Sequence, residues 1–151
     1  MLSAIVGSVR FMAYDFQVTV DCTDPHVLAD WWAETLGWDV EPQDEAFIKE
    51  MVAKGFATDD QTAHHRGKLV WRTGAAIVHP DNGRRMLFQF DEAAKTVKNR
   101  VHVDIRAGEA NRGAERDKLT ARGATFLWEG RQGPQAWFTM ADPEGNEFCV
   151  S

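Results

Sequence analysis

The side chains best suited to chemistry in this chain are one imidazole, one thiol and two amides, all on strand-like segments. His102 stands within Arg100–Arg106 (RVHVDIR), where polar and apolar residues alternate. Cys149 stands within Glu147–Val150 (EFCV), flanked by Phe148 and Val150. Imidazole and thiolate are both zinc ligands, and imidazole also moves protons near neutral pH. A thiolate is a nucleophile where its surroundings depress its pKa. Each residue also has a plain structural reading: His102 as a strand histidine with a hydrogen-bonded ring, Cys149 as a small buried apolar residue. Gln17 and Gln89 alternate with Phe16/Val18 and Phe88/Phe90, so both face away from the apolar side of their strands. A glutamine in that position is either solvated or holding a ligand.

Other residues frame these four. Six tryptophans are many for 151 residues. Trp31 and Trp32 sit at core spacing on a helical segment, and Trp38 follows its stop. Trp71, Trp128 and Trp137 fall on strand-like stretches, which makes Trp71 and Trp137 candidate walls of a small-molecule pocket. Arg72, Arg106 and Arg131 could meet an anionic ligand, with nothing to single one out. His64 and His65 lie near Asp59 and Asp60, but the spacing matches no established ligand pattern and the segment reads as an exposed loop. His26, in the first turn of a helix, and His79, before a turn, read as surface residues. Cys22 reads as structural.

The elements that must position these groups follow from periodicity and punctuation. Tyr14 to Cys22 has period two and predicts a strand. Asp24-Pro25 starts a helix that Gly37 ends, and Trp38 to Val40 is a short second strand. Residues 43–67 read as an insertion: a short helix carrying Phe47, Ile48, Met51 and Val52, then a polar stretch from Thr58 to Gly67. Strands follow at 68–73, 75–79 and 85–90, with a turn at Pro80–Gly83. After a polar connector the order restarts: strand 100–106, helix 108–122, strand 124–129, turn 130–134, strand 135–140, turn 142–146 and strand 147–150. Strand, helix and three strands therefore occur twice. Phe16-Gln17-Val18 aligns with Val101-His102-Val103, and Phe88-Gln89-Phe90 with Phe148-Cys149-Val150. The expected fold is α+β: two βαβββ modules (14–91 and 99–151) forming a curved mixed sheet around a cleft, helices outside. Neither module holds enough apolar residues to bury a core alone.

Composition narrows the function classes. A net charge of −6 lacks the electrostatic footprint of a nucleic-acid binder and disfavours an anionic membrane surface. No apolar run reaches the length of about 18 residues that a membrane span needs. Two cysteines are too few for a disulfide scaffold, so a reducing cytoplasm is the expected setting. Residues 1–13 are expected to be an arm or extension. Arg10 follows the mildly apolar start instead of preceding it, unlike a secretory leader.

Three stretches carry a resemblance: VTVDCTDPHVLADWWAETLGW (18–38), KNRVHVDIRA (98–107) and DPEGNEFCV (142–150). With the doubled βαβββ order, they resemble the glyoxalase-like proteins of the vicinal-oxygen-chelate superfamily, which includes glyoxalase I, bleomycin-resistance proteins and extradiol dioxygenases. The resemblance implies metal-ligand positions on the first and last strands of each module, which fall on Gln17, Gln89, His102 and Cys149. It also implies a homodimer. The usual two glutamates are missing from those positions, so enediolate chemistry on a hard divalent ion lacks its carboxylates. A Cys–His pair could still hold zinc.

The leading expectation is thus a binder of a small apolar or aromatic molecule, as in the bleomycin-resistance type, anchored by Gln17, Gln89 and His102. A divergent lyase or isomerase is the alternative, with His102 as ligand or base and Cys149 as ligand or nucleophile. A third reading makes 43–67 a lid or a partner surface.

Overall fold

The computed structural model describes residues 13–151; the N-terminal arm, up to residue 12, lies outside the described residues. The first strand, β1 (Val18–Cys22), is followed by helix α1 (Pro25–Leu36). Asp24 caps α1 by accepting from Val27 N–H, Pro25 occupies the first turn, and Gly37 ends it in the left-handed conformation with φ of 67°. Strands β2 (Asp39–Val40), β5 (Gly74–Val78) and β6 (Arg85–Phe90) complete a four-stranded sheet of order β1-β6-β5-β2. Between β2 and β5 lie helix α2 (Glu45–Ala53) and a separate hairpin of β3 (Thr62–His65) and β4 (Lys68–Trp71). The second sheet contains β7 (Asp104–Ile105), β8 (Thr125–Gln132), β9 (Gln135–Ala141) and β10 (Glu147–Val150), with helix α3 (Arg112–Ala121) after β7. Its order, β7-β10-β9-β8, repeats that of the first. In both sheets the first strand runs parallel to the last, and the remaining pairs are antiparallel.

One core joins the two modules. Leu28, Trp31 and Trp32 of α1 pack with Ile77 and Phe88 of the first sheet and with Met140, Phe148 and Val150 of the second. Trp31 and Trp32 both meet Phe148 edge-on, with centroids 5.8 and 5.2 Å away. Phe88 and Phe148 are fully buried, and each such burial contributes about 1.5–3 kcal/mol. Helix α1 thus serves both sheets, whereas α3 fully buries Leu119 alone.

Polar contacts lock the same seam. The Glu144 carboxylate accepts from Thr23 N–H at 2.6 Å and Asp24 N–H at 2.8 Å, at the start of α1. Beside the Asp24 cap, the second module thus adds a second carboxylate at the end of α1 that its dipole favours. A Glu144→Ala protein should lose about 2 kcal/mol in urea unfolding, the usual worth of hydrogen bonds to a charged group.

Several local expectations need correction. Strand β1 starts at Val18, and Phe16, assigned to the apolar face, is 83% exposed. The stretch Thr58–Gly67 is not a plain loop, since β3 pairs with β4. Residues 68–71 belong to that hairpin and not to the module sheet. His26 is buried, not a surface residue: Nε2 donates to the Trp71 carbonyl at 2.8 Å and the ring stacks on His65. His65 in turn donates to Asp30 at 2.7 Å. Strand β8 runs on to Gln132, so the expected turn at 130–134 shrinks to Gly133-Pro134. Gly130 lies inside β8 because the Trp137 ring covers it; a Cβ there would stand 2.3 Å from that ring.

Candidate functional site

The strand register changes which residues correspond. Gln89 of β6 lies beside Asp21 of β1, and Cys149 of β10 lies beside Asp104 of β7. Gln89 and Cys149 hold matching places on the last strands, so Asp21 matches Asp104. Two residues upstream, the counterpart of His102 is Thr19, not Gln17. The VTVD of β1 and the VHVD around β7 are the repeated words. The Gln17–His102 pairing fails because Gln17 precedes β1 and is exposed.

Thr19 and His102 share a cleft of about 340 Å³ along the seam between the modules. Its apolar wall comes from Val18, Val20, Trp32, Met86, Val101 and Phe148. Its polar rim includes Asp21, Asp91, Lys95, Asn99, Asp142 and Glu147. The rim is fixed by hydrogen bonds. Lys95 Nζ donates to Glu147 at 3.0 Å, and Asn99 donates through its backbone to Glu147 at 2.9 Å and through Nδ2 to Asn146 at 3.1 Å. Burial alone would raise the Glu147 carboxyl, but the Asn99 N–H and Lys95 hold it below the usual range. Asp142 accepts from Trp32 Nε1 at 3.1 Å, from Glu144 and Asn146 N–H at 2.9 Å, and from the Asn146 amide. Burial still pushes its carboxyl up, against those donors.

His102 Nδ1 donates to Asp104 Oδ1 at 2.9 Å, and Cys149 Sγ lies 4.0 Å from the same nitrogen. Burial pushes the Cys149 thiol up, the Thr139 hydroxyl at 3.8 Å counters this, and the Asp104 carboxylate adds to the rise. A thiol in that state is protonated near neutral pH. The nucleophile reading of Cys149 required a depressed pKa, and the surroundings act in the opposite direction. Cys22 is pushed up to about 12 by burial and by the carboxylates of Glu144 and Asp142, as fits its structural reading.

The other expected site residues lie elsewhere. Trp71 and Gln89 line a second, shallower cleft of about 530 Å³ on the first sheet, together with Arg85 and Gln43. Gln17 accepts from Arg85 at 2.8 Å, while the rest of that guanidinium is held by Glu41. Trp137 lines a third cleft with Arg112, at the far end of the second sheet. The six residues expected at one site divide: His102 and Cys149 come together, Trp71 and Gln89 share the other cleft, and Trp137 lies apart from both. Trp32, whose spacing places it in the core, is buried there and lies behind the seam cleft. Thr19 and Asp21 were legible through the VTVD–VHVD repeat. Lys95 and Asn99 sat in a connector with no periodic signal.

Two sheets of identical strand order around one shared core define the vicinal-oxygen-chelate architecture. More closely, residues 17–151 match the family model described as "Glyoxalase-like domain", and the chain belongs to that family. No curated protein is detectably similar in sequence. Solved structures are similar in fold. A member of the glyoxalase/bleomycin resistance protein/dioxygenase superfamily from Sphaerobacter thermophilus is 16% identical, with TM-score 0.55 over 92% of this chain and 96% of that one. A fosfomycin resistance protein from Listeria monocytogenes, solved with Mn(II) and a dihydroxypropylphosphonic acid, is 8% identical, with TM-score 0.61 over 93% of this chain and 90% of that one. A hypothetical protein from S. aureus is 10% identical, with TM-score 0.60 over 93% and 94%. No helix of the described residues is long and apolar enough to cross a membrane.

The architecture implies a divalent metal, so the donors matter. The four strand positions as corrected are Thr19, Gln89, His102 and Cys149, which contain no carboxylate. That set does not fit a hard, oxygen-ligated ion such as manganese. A different set does fit a zinc-class ion. The donor atoms of His102, Asp104 and Cys149 all lie within 4.8 Å of one another, and all three come from the second module.

Proposed function

We propose that this chain binds a small, largely apolar molecule in the seam cleft, as a glyoxalase-like binding protein without glyoxalase I-type metal catalysis. The observation that carries the reading is the cleft itself: an apolar wall from both modules, capped by polar groups already held in place. A small-molecule site needs that combination, and Val18, Val20 and Val101 keep apolar surface open to a ligand in front of the buried Trp32 and Phe148. The absence of carboxylates from the strand positions supports binding over enediolate chemistry. The test is a titration with 1-naphthalenemethanol followed by amide and indole NMR. Saturable shifts at the Trp32 indole and along residues 18–21 and 101–103 are expected. An unmoved Trp32 indole at millimolar probe overturns the proposal.

A second reading rests on the His102–Asp104–Cys149 trio. Such an ion would take the place of the proton that His102 Nδ1 shares with Asp104, and it would have to deprotonate Cys149. When bound, it would supply a Lewis acid at the edge of the cleft. His102, Asp104 and Cys149 would hold it, and Thr139 would steady the thiolate. Titration with cobalt(II) checks this. A thiolate charge-transfer band that disappears in Cys149→Ser and weakens in Asp104→Asn is expected. A protein that binds neither cobalt nor zinc overturns the metal reading and leaves the binding proposal standing.

A further inference from the structure

Strand β8 is the longest in the fold, and it lies at an edge: among the described residues its one strand neighbour is β9. Free edges are usually kept short, because their open N–H and C=O groups template another strand. The far edge of the first sheet obeys this, with two residues in β2. β8 does not. Seven of its eight residues are exposed, Trp128 at 45%. Its bulge lies between Phe126 and Trp128, so the ladder is regular from Trp128 to Gln132. Alternation then says which groups point outward. The two-residue loop Gly133-Pro134 closes on a hydrogen-bonded pair, Gln132 and Gln135. Counting back, Arg131 and Glu129 fall in the alternate pairs, whose N–H and C=O turn to the free edge. The Ala136 carbonyl, opposite Arg131, agrees: it is open to Arg112 Nη1, which donates to it.

We infer that two copies of this chain pair through β8, antiparallel about a two-fold axis at Gly130, so that the second sheet runs on from one copy into the other. Outward-turned residues must face one another, and three registers do that. Arg131 facing Arg131, or Glu129 facing Glu129, sets like charges opposite. The third sets Glu129 of each copy opposite Arg131 of the other, which makes the strand complementary to itself as a two-fold contact requires. Glu129 and Arg131 already lie 3.6 Å apart within one copy, so four charges alternate on that face. The other face is aromatic. Trp137 lies over Gly130, and Trp128 is on the same face two residues away. Across the axis the two Gly130 Cα atoms approach to about 4.5 Å, which brings the two Trp137 rings together with a Trp128 on either side.

Sedimentation velocity on the full chain, from micromolar to submillimolar concentration, tests this with a charge swap. The wild type should show a reversible dimer. Arg131→Glu and Glu129→Arg, made separately, each set like charges opposite and should weaken the dimer about tenfold or more. The two changes move the net charge in opposite directions, so general repulsion cannot account for both. The double variant Glu129→Arg/Arg131→Glu restores the pairing and should dimerise as the wild type does. Both side chains are exposed, so the fold should persist in all three variants, as circular dichroism checks. A wild type that stays monomeric throughout overturns the inference. So does a dimer that both single variants leave intact, or a double variant that stays monomeric.

Discussion

Asp142→Ala should be the most damaging single substitution near the cleft, at about 3–5 kcal/mol or outright loss of the fold. The carboxylate is 3% exposed and accepts from the Trp32 indole and from the backbones of Glu144 and Asn146. Alanine leaves those donors buried without partners, and each such group costs its full desolvation. The same loop carries Glu144, so the clamp on α1 should loosen with it. Urea unfolding checks the magnitude. Asp142→Asn keeps the shape and one acceptor, and should cost less. Its pH dependence has a definite sign. The folded carboxyl titrates above its ordinary 3.8 because burial disfavours the charge. Its favourable contribution is complete below the unfolded pKa and is lost as pH rises through the folded one. The stability gap between wild type and Asp142→Asn should therefore be widest in acid and narrow toward neutral pH. A gap that widens toward neutral pH contradicts this account of Asp142.

Thr19→Trp should abolish probe binding while leaving the fold intact. Thr19 is exposed on β1 and lines the seam cleft opposite the position of its repeat partner, His102. An indole there crowds the cleft that Thr19 lines, and because Thr19 is exposed the change removes no buried packing. Binding of 1-naphthalenemethanol should fall by about tenfold or more, which is about 1.4 kcal/mol or more. Stability should move by about 0.5 kcal/mol, as for surface changes generally. The same substitution at Gln89, Gln89→Trp, should leave the probe's affinity unchanged, because Gln89 lines the other cleft. Calorimetry on both variants checks the pair. Equal losses at both positions would place the ligand across the first sheet instead.

The doubled order of elements was legible because each module repeats the same punctuation. Asp24-Pro25 and Gly37 bound α1 as their chemistry requires, and the apolar spacing of Trp31 and Trp32 placed them in the core. Register was harder. The repeat was first laid Gln17 on His102, because alternation alone cannot say where a strand begins. Pairing of β1 with β6 moves the correspondence by two residues, to Thr19. A shift of two keeps the same face, so the period gave no warning. His26 looked like a surface residue because its partner, the Trp71 carbonyl, is 45 residues away. Gly130 looked like a turn because only the tertiary approach of Trp137 explains a glycine inside β8. His102 and Cys149 do lie side by side, since both follow from the second module's own repeat positions. Gln89 and Trp71 instead share the other cleft, with Gln17 held at its edge by Arg85, because which cleft a strand residue lines depends on how two sheets curve.

The most direct test of the central claim is a structure of the protein crystallised with 1-naphthalenemethanol. The account predicts the naphthalene in the seam, against Val20 and Val101. Density for the probe on the first sheet, beside Trp71 and Gln89, would contradict it.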